Sequence, residues 1–483
     1  MKSLSSCCRI FLSGLGKSVG LFTLSLLPAI GDCALPGAVA DPSYTDETQQ
    51  RLELLEAEVR QLRQMAGAES AVDDPTSSSI ELAGYEVHRL HDVDRCMNGA
   101  SDRFPTVGIT GFLHADLVHF NQEELNRTTV GDLKNGADLR RARVGFKGNL
   151  SEEISYILEF DFGSSIPLFV DNWINFSEVP GLGNIRIGRW RQPFGMTELT
   201  SVKEIAFLER PSIFTFSPFR QTGIGFYDHS ADERVTWAFS GYRFPSDAFG
   251  GNVGDSGGWG MAGRVTMLAL ENERDAQRIH LGADYSFHDP SNNTMRFASQ
   301  PEIQVSESTG GLLPSPQTAV PAFVDTGAMS VQYANHFGVE LAGQYESFLV
   351  QSEARWVSVK MMDGSTQTFP GAYAQARYLL TGERLPYNNK GGVFGRVIPD
   401  DEFRFSTGGL GAWEAAARWS YIDLNGSGLP GPGRRLNDLT FGLNWYLNRF
   451  TKFQFNYIRA MLDDPTMGDS TADVFAARTQ FDF

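Results

Sequence analysis

Runs of about ten residues in which apolar and polar side chains alternate recur from residue 105 onward, a period of two that marks β-strands and excludes helices of comparable length. In EISYILEFDF, Ile154, Tyr156, Leu158, Phe160 and Phe162 share one face, and Glu153, Ser155, Glu159 and Asp161 with Ile157 share the other. DLTFGLNWYL sets Leu439, Phe441, Leu443, Trp445 and Leu447 against Thr440, Gly442, Asn444 and Tyr446. GAWEAAARWSY aligns Trp413, Ala415, Ala417, Trp419 and Tyr421, while VFAARTQFDF opposes Phe475, Ala477, Thr479, Phe481 and Phe483 to Val474, Ala476, Arg478, Gln480 and Asp482.

The direction of the apolar face follows from size. One barrel made from residues 105–483 would enclose a lumen too wide for side chains to fill, so the apolar faces point outward into lipid. Connections agree: NRFT is short, whereas DLNGSGLPGPGRRLND and LDDPTMGDSTAD are long and polar, the alternation of periplasmic turns and extracellular loops. Sixteen strands would each take about 24 residues with a connection, so the expected fold is all-β: a transmembrane antiparallel barrel of sixteen to eighteen strands. A barrel has no edges, and the final strand is expected to pair with the first. Phe481 and Phe483 then belong to the aromatic girdle and to the terminal signal that directs barrel assembly.

The 35 Phe, 14 Tyr and 8 Trp suit a lipid-facing belt, and no internal segment approaches the roughly 20 apolar residues of a spanning helix. At the N-terminus, Lys2, Arg9 and Lys17, the run VGLFTLSLLPAI and the small residues AVA at 38–40 predict a cleaved signal peptide over 1–40 and export. Asp32 directly before Cys33 argues against lipidation there. Cleavage leaves Cys96 as the sole thiol, excluding an internal disulfide, and takes the net charge from −17 to −19, which argues against nucleic-acid binding.

Within 41–66, Leu52, Leu55, Val59 and Leu62 repeat at spacings of three and four, a short coiled-coil seam. It reads as an oligomer's helical collar in preference to a marginal surface helix. Residues 67–104, rich in Ala, Ser and Asp, read as linker.

The segments GRWRQPFGMTELTSVKEIAFLERPS, GAYAQARYLLTGERLPYNNKGGVFGRV and GAWEAAARWSYIDLNG followed by LTFGLNWYLN resemble the phosphate-selective porin O and P family of bacterial outer membranes. The resemblance implies a homotrimer of sixteen-stranded barrels, each constricted by an inward-folded loop, that passes anions passively. It also implies phosphate or polyphosphate as solute, outer-membrane lipid as surroundings, and no cofactor.

Residue parity places cations on the inner face independently. DLRRARVGFKGNL puts Arg141, Arg143 and Lys147 opposite the outward Ala142, Val144 and Phe146, and adjacent Arg140 joins the candidate anion path. Arginine suits this role because its planar donor fork binds an oxyanion and keeps its charge. Pairing with Glu159 and Asp161, as mere wall-filling, is the competing role. The poorly alternating FLERPSIFTFSPFRQTG reads as a loop; by resemblance it adjoins the constriction, bringing Arg210 and Arg220 toward the second-strand arginines. Asp171 best matches the lumenal aspartate of phosphate-selective relatives, which accepts the hydroxyl proton that hydrogen phosphate has and chloride lacks. Such relatives also carry an arginine ladder and extracellular lysine clusters, whereas 296–335 here holds only Arg296 as a basic residue and the mature chain has six lysines.

Other signals are weaker. GDSGG at 254–258 spells a serine-protease nucleophile segment around Ser256, yet the nearby His229 lacks a protease context. No HExxH or paired Cys/His spacing supports a transition-metal site. The expected function is therefore an anion-preferring outer-membrane porin. A structural barrel tethering through its collar is the alternative, and an exported serine hydrolase a distant third.

Overall fold

The computed structural model describes residues 104–163, 167–272, 274, 276–305, 320–406 and 408–483. The expected signal peptide, the heptad seam of Leu52, Leu55, Val59 and Leu62, and the expected linker lie outside these residues apart from Phe104.

Sixteen long strands are present among the described residues: β1 Gly108–Gln122, β2 Gly136–Asn149, β3 Ile154–Asp161, β4 Leu168–Val179, β5 Gly183–Arg191, β6 Arg220–His229, β7 Val235–Arg243 and β8 Trp259–Asn272. They continue as β9 Gln277–Asp289, β10 Met329–Tyr345, β11 Phe348–Met361, β12 Thr366–Leu379, β13 Ala412–Asp423, β14 Arg435–Tyr446, β15 Thr451–Asp463 and β16 Ser470–Asp482. Each pairs antiparallel with its sequence neighbour, and β16 pairs with β1 in a continuous register from Phe112 opposite Asp482 to Gln122 opposite Ala472. The sheet is thus a closed barrel without a free edge.

Residue parity gives the two faces as expected. Along β16, Phe475 and Phe481 are about half exposed on the lipid side, while Val474, Arg478 and Gln480 are buried within. Leu439, Phe441 and Leu443 of β14 face out, and Asp438, Thr440 and Asn444 face in. Aromatics gather at the end of the barrel that carries Phe483: Trp413 and Trp445 stack at 5.2 Å, and Trp445 also meets Phe403 and Phe453. Amphipathic rings at such a height form an interfacial girdle.

The expected alternation of short and long connections holds in part. At the C-terminal end, 150–153, 180–182, 230–234, 346–347 and 447–450 are tight, but 380–411 is long; at the opposite end 362–365 is tight, and 162–167 and 464–469 are also short, half of LDDPTMGDSTAD belonging to β15 and β16. The long exception is an inserted segment. Its Leu385, Phe394 and Val397 pack inside the wall with Met196, Leu349 and Leu379. Arg264 of β8 donates to the carbonyls of Gly391 and Gly392 at 3.0 and 2.8 Å.

Two further segments enter from the other end. The 192–219 loop, following β5, carries the helical turn Met196–Leu199 and the 3-10 turn Ser212–Phe216. The described parts of 290–328 fold over it, with the Phe216 and Phe297 rings edge-to-face at 5.4 Å. Their apolar residues, Leu208, Ile213, Phe216, Ile303, Val320 and Phe323, meet inward Val331, Val357, Phe369, Ile458 and Val474 in one buried cluster. At about 25 cal/mol per Å² of apolar surface removed from water, this cluster supplies the drive for loop entry. A wide barrel has acquired a soluble-type core on part of its inner wall.

Candidate functional site

The 192–219 loop crosses the lumen from β5 and lies against β10–β16. An extended chain away from water must satisfy its backbone groups, and polar inward side chains do so here. Gln454 donates to the carbonyls of Ile205 and Ala206, Asn444 to Ala206 at 2.8 Å, Arg478 to Leu208 at 2.5 Å and Arg418 to Glu209 at 3.0 Å. Glu353 accepts the amide of Thr197 at 2.7 Å. Gly195, at φ +73, allows the closest approach: a Cβ there would stand 2.1 Å from Arg355 Nη2.

Around this loop the wall places the predicted cations. A bulge in β2, where His114 opposes Arg141 and Asp116 opposes Asp138, lets consecutive Arg140 and Arg141 both reach the loop. Arg140 Nε donates to Glu209 Oε1 at 3.0 Å, and Arg141 grips both Glu209 oxygens at 3.1 and 2.9 Å. Arg143 pairs with Asp161 at 2.7 Å and reaches Glu159 at 3.5 Å, the wall-filling arrangement. Lys147 sits half-buried and feels the like charges of Lys203 and Arg396.

Arg220 forms a two-pronged bond with Asp171, at 3.1 and 2.8 Å. Arg210 is held within the loop, donating to the carbonyls of Thr197 and Thr200 and lying over the Phe214 ring, so it braces the loop instead of spanning to β2. The structure therefore joins Arg140 with Arg141, and Asp171 with Arg220, as two separate clusters.

Parity reasoning missed Arg189 and Arg191 of β5, which flank the Asp171–Arg220 pair. Arg189 donates to the Phe169 carbonyl at 3.0 Å, and Arg191 pairs in register with Arg220. Strict alternation groups them with outward Ile187, but Gly188 at φ +132 interrupts the regular strand there. The arginine density of GRWRQPFG was the available signal.

Charge is divided across the lumen. From β2 to β6 the arginines crowd around Glu159, Asp161 and Asp171. Across from them, β9–β11 carry Asp284, Glu340 and Glu353, the last two paired with Arg264 and Arg355. Ser256 is exposed in the 244–258 loop, whereas His229 closes β6 at the barrel's other end, so the residues of the protease-like motif do not meet. Asp463 and Asp464 are engaged by Arg435 and Arg434.

A sealed sixteen-stranded barrel with an apolar outer belt, a charged lumen and a loop folded into it defines a porin, a channel of the bacterial outer membrane. The chain belongs to the family described as phosphate-selective porin O and P, whose profile matches residues 107–483. Porin O of Pseudomonas aeruginosa is 24% identical over 398 residues, covering 77% of this chain and 87% of that protein. An uncharacterized protein of Caulobacter vibrioides is 27% identical over 369 residues, covering 72% and 68%. Among solved structures, the outer membrane channel DcaP of Acinetobacter baumannii aligns with a TM-score of 0.48 at 10% identity, covering 78% of this chain and 97% of that one.

Proposed function

We propose that this porin is a passive, anion-preferring diffusion channel that admits phosphate or polyphosphate and works as a homotrimer. The observation that carries the reading is the arginine-rich wall from β2 to β6, where Arg189, Arg191 and Arg220 gather around Asp171, with Glu198 beside Arg191 and Glu159 nearby. Fixed guanidinium groups in a narrow, poorly screened passage lower the energy of an anion and raise that of a cation. The acidic opposite wall is largely neutralised by its own arginines, so the excess field belongs to the β2–β6 side.

Phosphate enters through Asp171. Each of its oxygens accepts one Arg220 bond, which leaves lone pairs for the hydroxyl of a hydrogen phosphate. The family to which the chain belongs supports this solute, while the scarcity of lysine argues for weak long-range attraction and selection close to the wall. Trimerisation follows the family resemblance, with the heptad seam expected over 41–66 as its collar.

Reconstitution into a planar bilayer in potassium chloride tests the reading. Stepwise conductance that falls as phosphate is added supports it. Absence of conductance would favour a structural barrel, and steps indifferent to phosphate would remove phosphate from the solute list.

A further inference from the structure

We propose that Glu209 is a built-in counter-anion: its carboxylate occupies an oxyanion seat formed by Arg140, Arg141 and Arg478, and thereby tunes how strongly the lumen attracts permeating anions. The proposal rests on the anion-channel reading and adds the residue that sets its strength.

Three guanidinium groups from two strands converge on this one carboxylate. Arg140 reaches Oε1 at 3.0 Å, Arg141 binds Oε1 and Oε2 at 3.1 and 2.9 Å, and Arg478 reaches Oε1 at 3.1 Å. The parallel fork of Arg141 is the geometry with which arginine binds any planar or tetrahedral oxyanion. Arg141, Arg478 and Glu209 are all buried, so the charges are weakly screened. Asp116 takes the other side of Arg478 in a two-pronged pair at 2.7 and 2.6 Å. Removing the Glu209 charge therefore makes the seat more positive by one unit.

The loop has main-chain anchors besides that charge. The Glu209 carbonyl is held by Arg418, the Leu208 carbonyl by Arg478 and the Ala206 carbonyl by Asn444. A carboxylate on a backbone so anchored acts as a tethered ligand in permanent competition with mobile anions for one set of donors.

The test is Glu209→Gln, compared with the native protein in planar bilayers by reversal potential across a potassium chloride gradient and by single-channel conductance. The amide keeps shape and an acceptor oxygen but loses the charge. The expected result is a rise in the chloride-to-potassium permeability ratio of roughly threefold or more, and a return toward native in Glu209→Asp. A lower ratio with larger conductance would mean that Glu209 only pins the loop, and an unchanged ratio would mean that its charge is not felt by ions; either overturns the proposal. Should Glu209→Gln fail to assemble, Glu209→Ser, which keeps the main-chain anchors, is read in the same way. Cation preference in the native protein contradicts the proposed function, whereas the shift between native and variant tests Glu209 independently.

Discussion

The amide of Gly111 donates to the carbonyl of Phe483 at 3.0 Å, and the amide of Phe483 donates to the carbonyl of Gly111 at 3.0 Å. This reciprocal pair extends the β1–β16 seam, and the Phe483 ring folds over Gly111. A Cβ on residue 111 would meet that ring at 2.6 Å and the Arg143 carbonyl at 2.7 Å. The terminal aromatic and the glycine opposite it are parts of one closure.

Gly111→Val and deletion of Phe483 are therefore both expected to lower the yield of assembled barrel in the outer membrane, measured as folded protein extracted from that membrane. Phe481→Lys acts through lipid instead, costing about 2–4 kcal/mol near mid-depth and less near the interface. Normal assembly of Phe481→Lys would contradict the outward assignment of its face.

A second prediction concerns Arg478 and Asp116, buried partners on β16 and β1. Arg478→Met leaves Asp116 unpaired in a dry site, and breaking a buried pair typically costs about 3–5 kcal/mol. Adding Asp116→Leu removes the stranded charge and should recover much of that loss. Urea unfolding midpoints in lipid vesicles measure both steps; equal destabilisation in the single and double variants would show that the pair is not the cause.

How far this architecture is legible in the sequence differs by residue. Leu439, Phe441 and Phe475 declare the lipid face because the alternation around them is clean, and Phe481 with Phe483 declares the closing strand. Arg140 escapes parity because a β2 bulge brings it to Glu209 alongside Arg141. Arg189 and Arg191 are obscured by Gly188. Glu209 gives no local sign, since its partners lie on β2 and β16, far away in sequence. The insertion of 380–411 is equally non-local: Leu385 and Phe394 find inner-wall partners that no short window contains.

Acid should loosen the rim opposite the C-terminal end. Burial pushes the Asp464 carboxyl up, but the amides of Met467 and Thr466 and the Arg434 guanidinium together hold it below the usual range. Asp325 is likewise lowered, as bonds from Arg296 and the Gly327 amide outweigh its burial. Depressed carboxylates stabilise above their unfolded values, and the contribution disappears as pH falls through the folded ones, below about 4. Hydrogen exchange at the Gly327, Thr466 and Met467 amides should therefore show lost protection at about pH 3, after correction for intrinsic rates. Retained protection would mean that other contacts hold these loops.

Asp171→Asn should separate two properties. Loss of its charge takes the bonded carboxylate from Arg220 and one negative charge from beside Arg189 and Arg191, so chloride preference should hold or rise, while phosphate reduces chloride current less effectively. Undiminished phosphate sensitivity would remove Asp171 from the solute path.

The sign of the reversal potential of the native protein tests the central claim most directly. With a potassium chloride gradient across a planar bilayer, the arginine-rich β2–β6 wall predicts a potential on the chloride side of zero, approaching the chloride equilibrium value as ionic strength falls and screening weakens. A potential on the potassium side at every salt concentration would contradict the account.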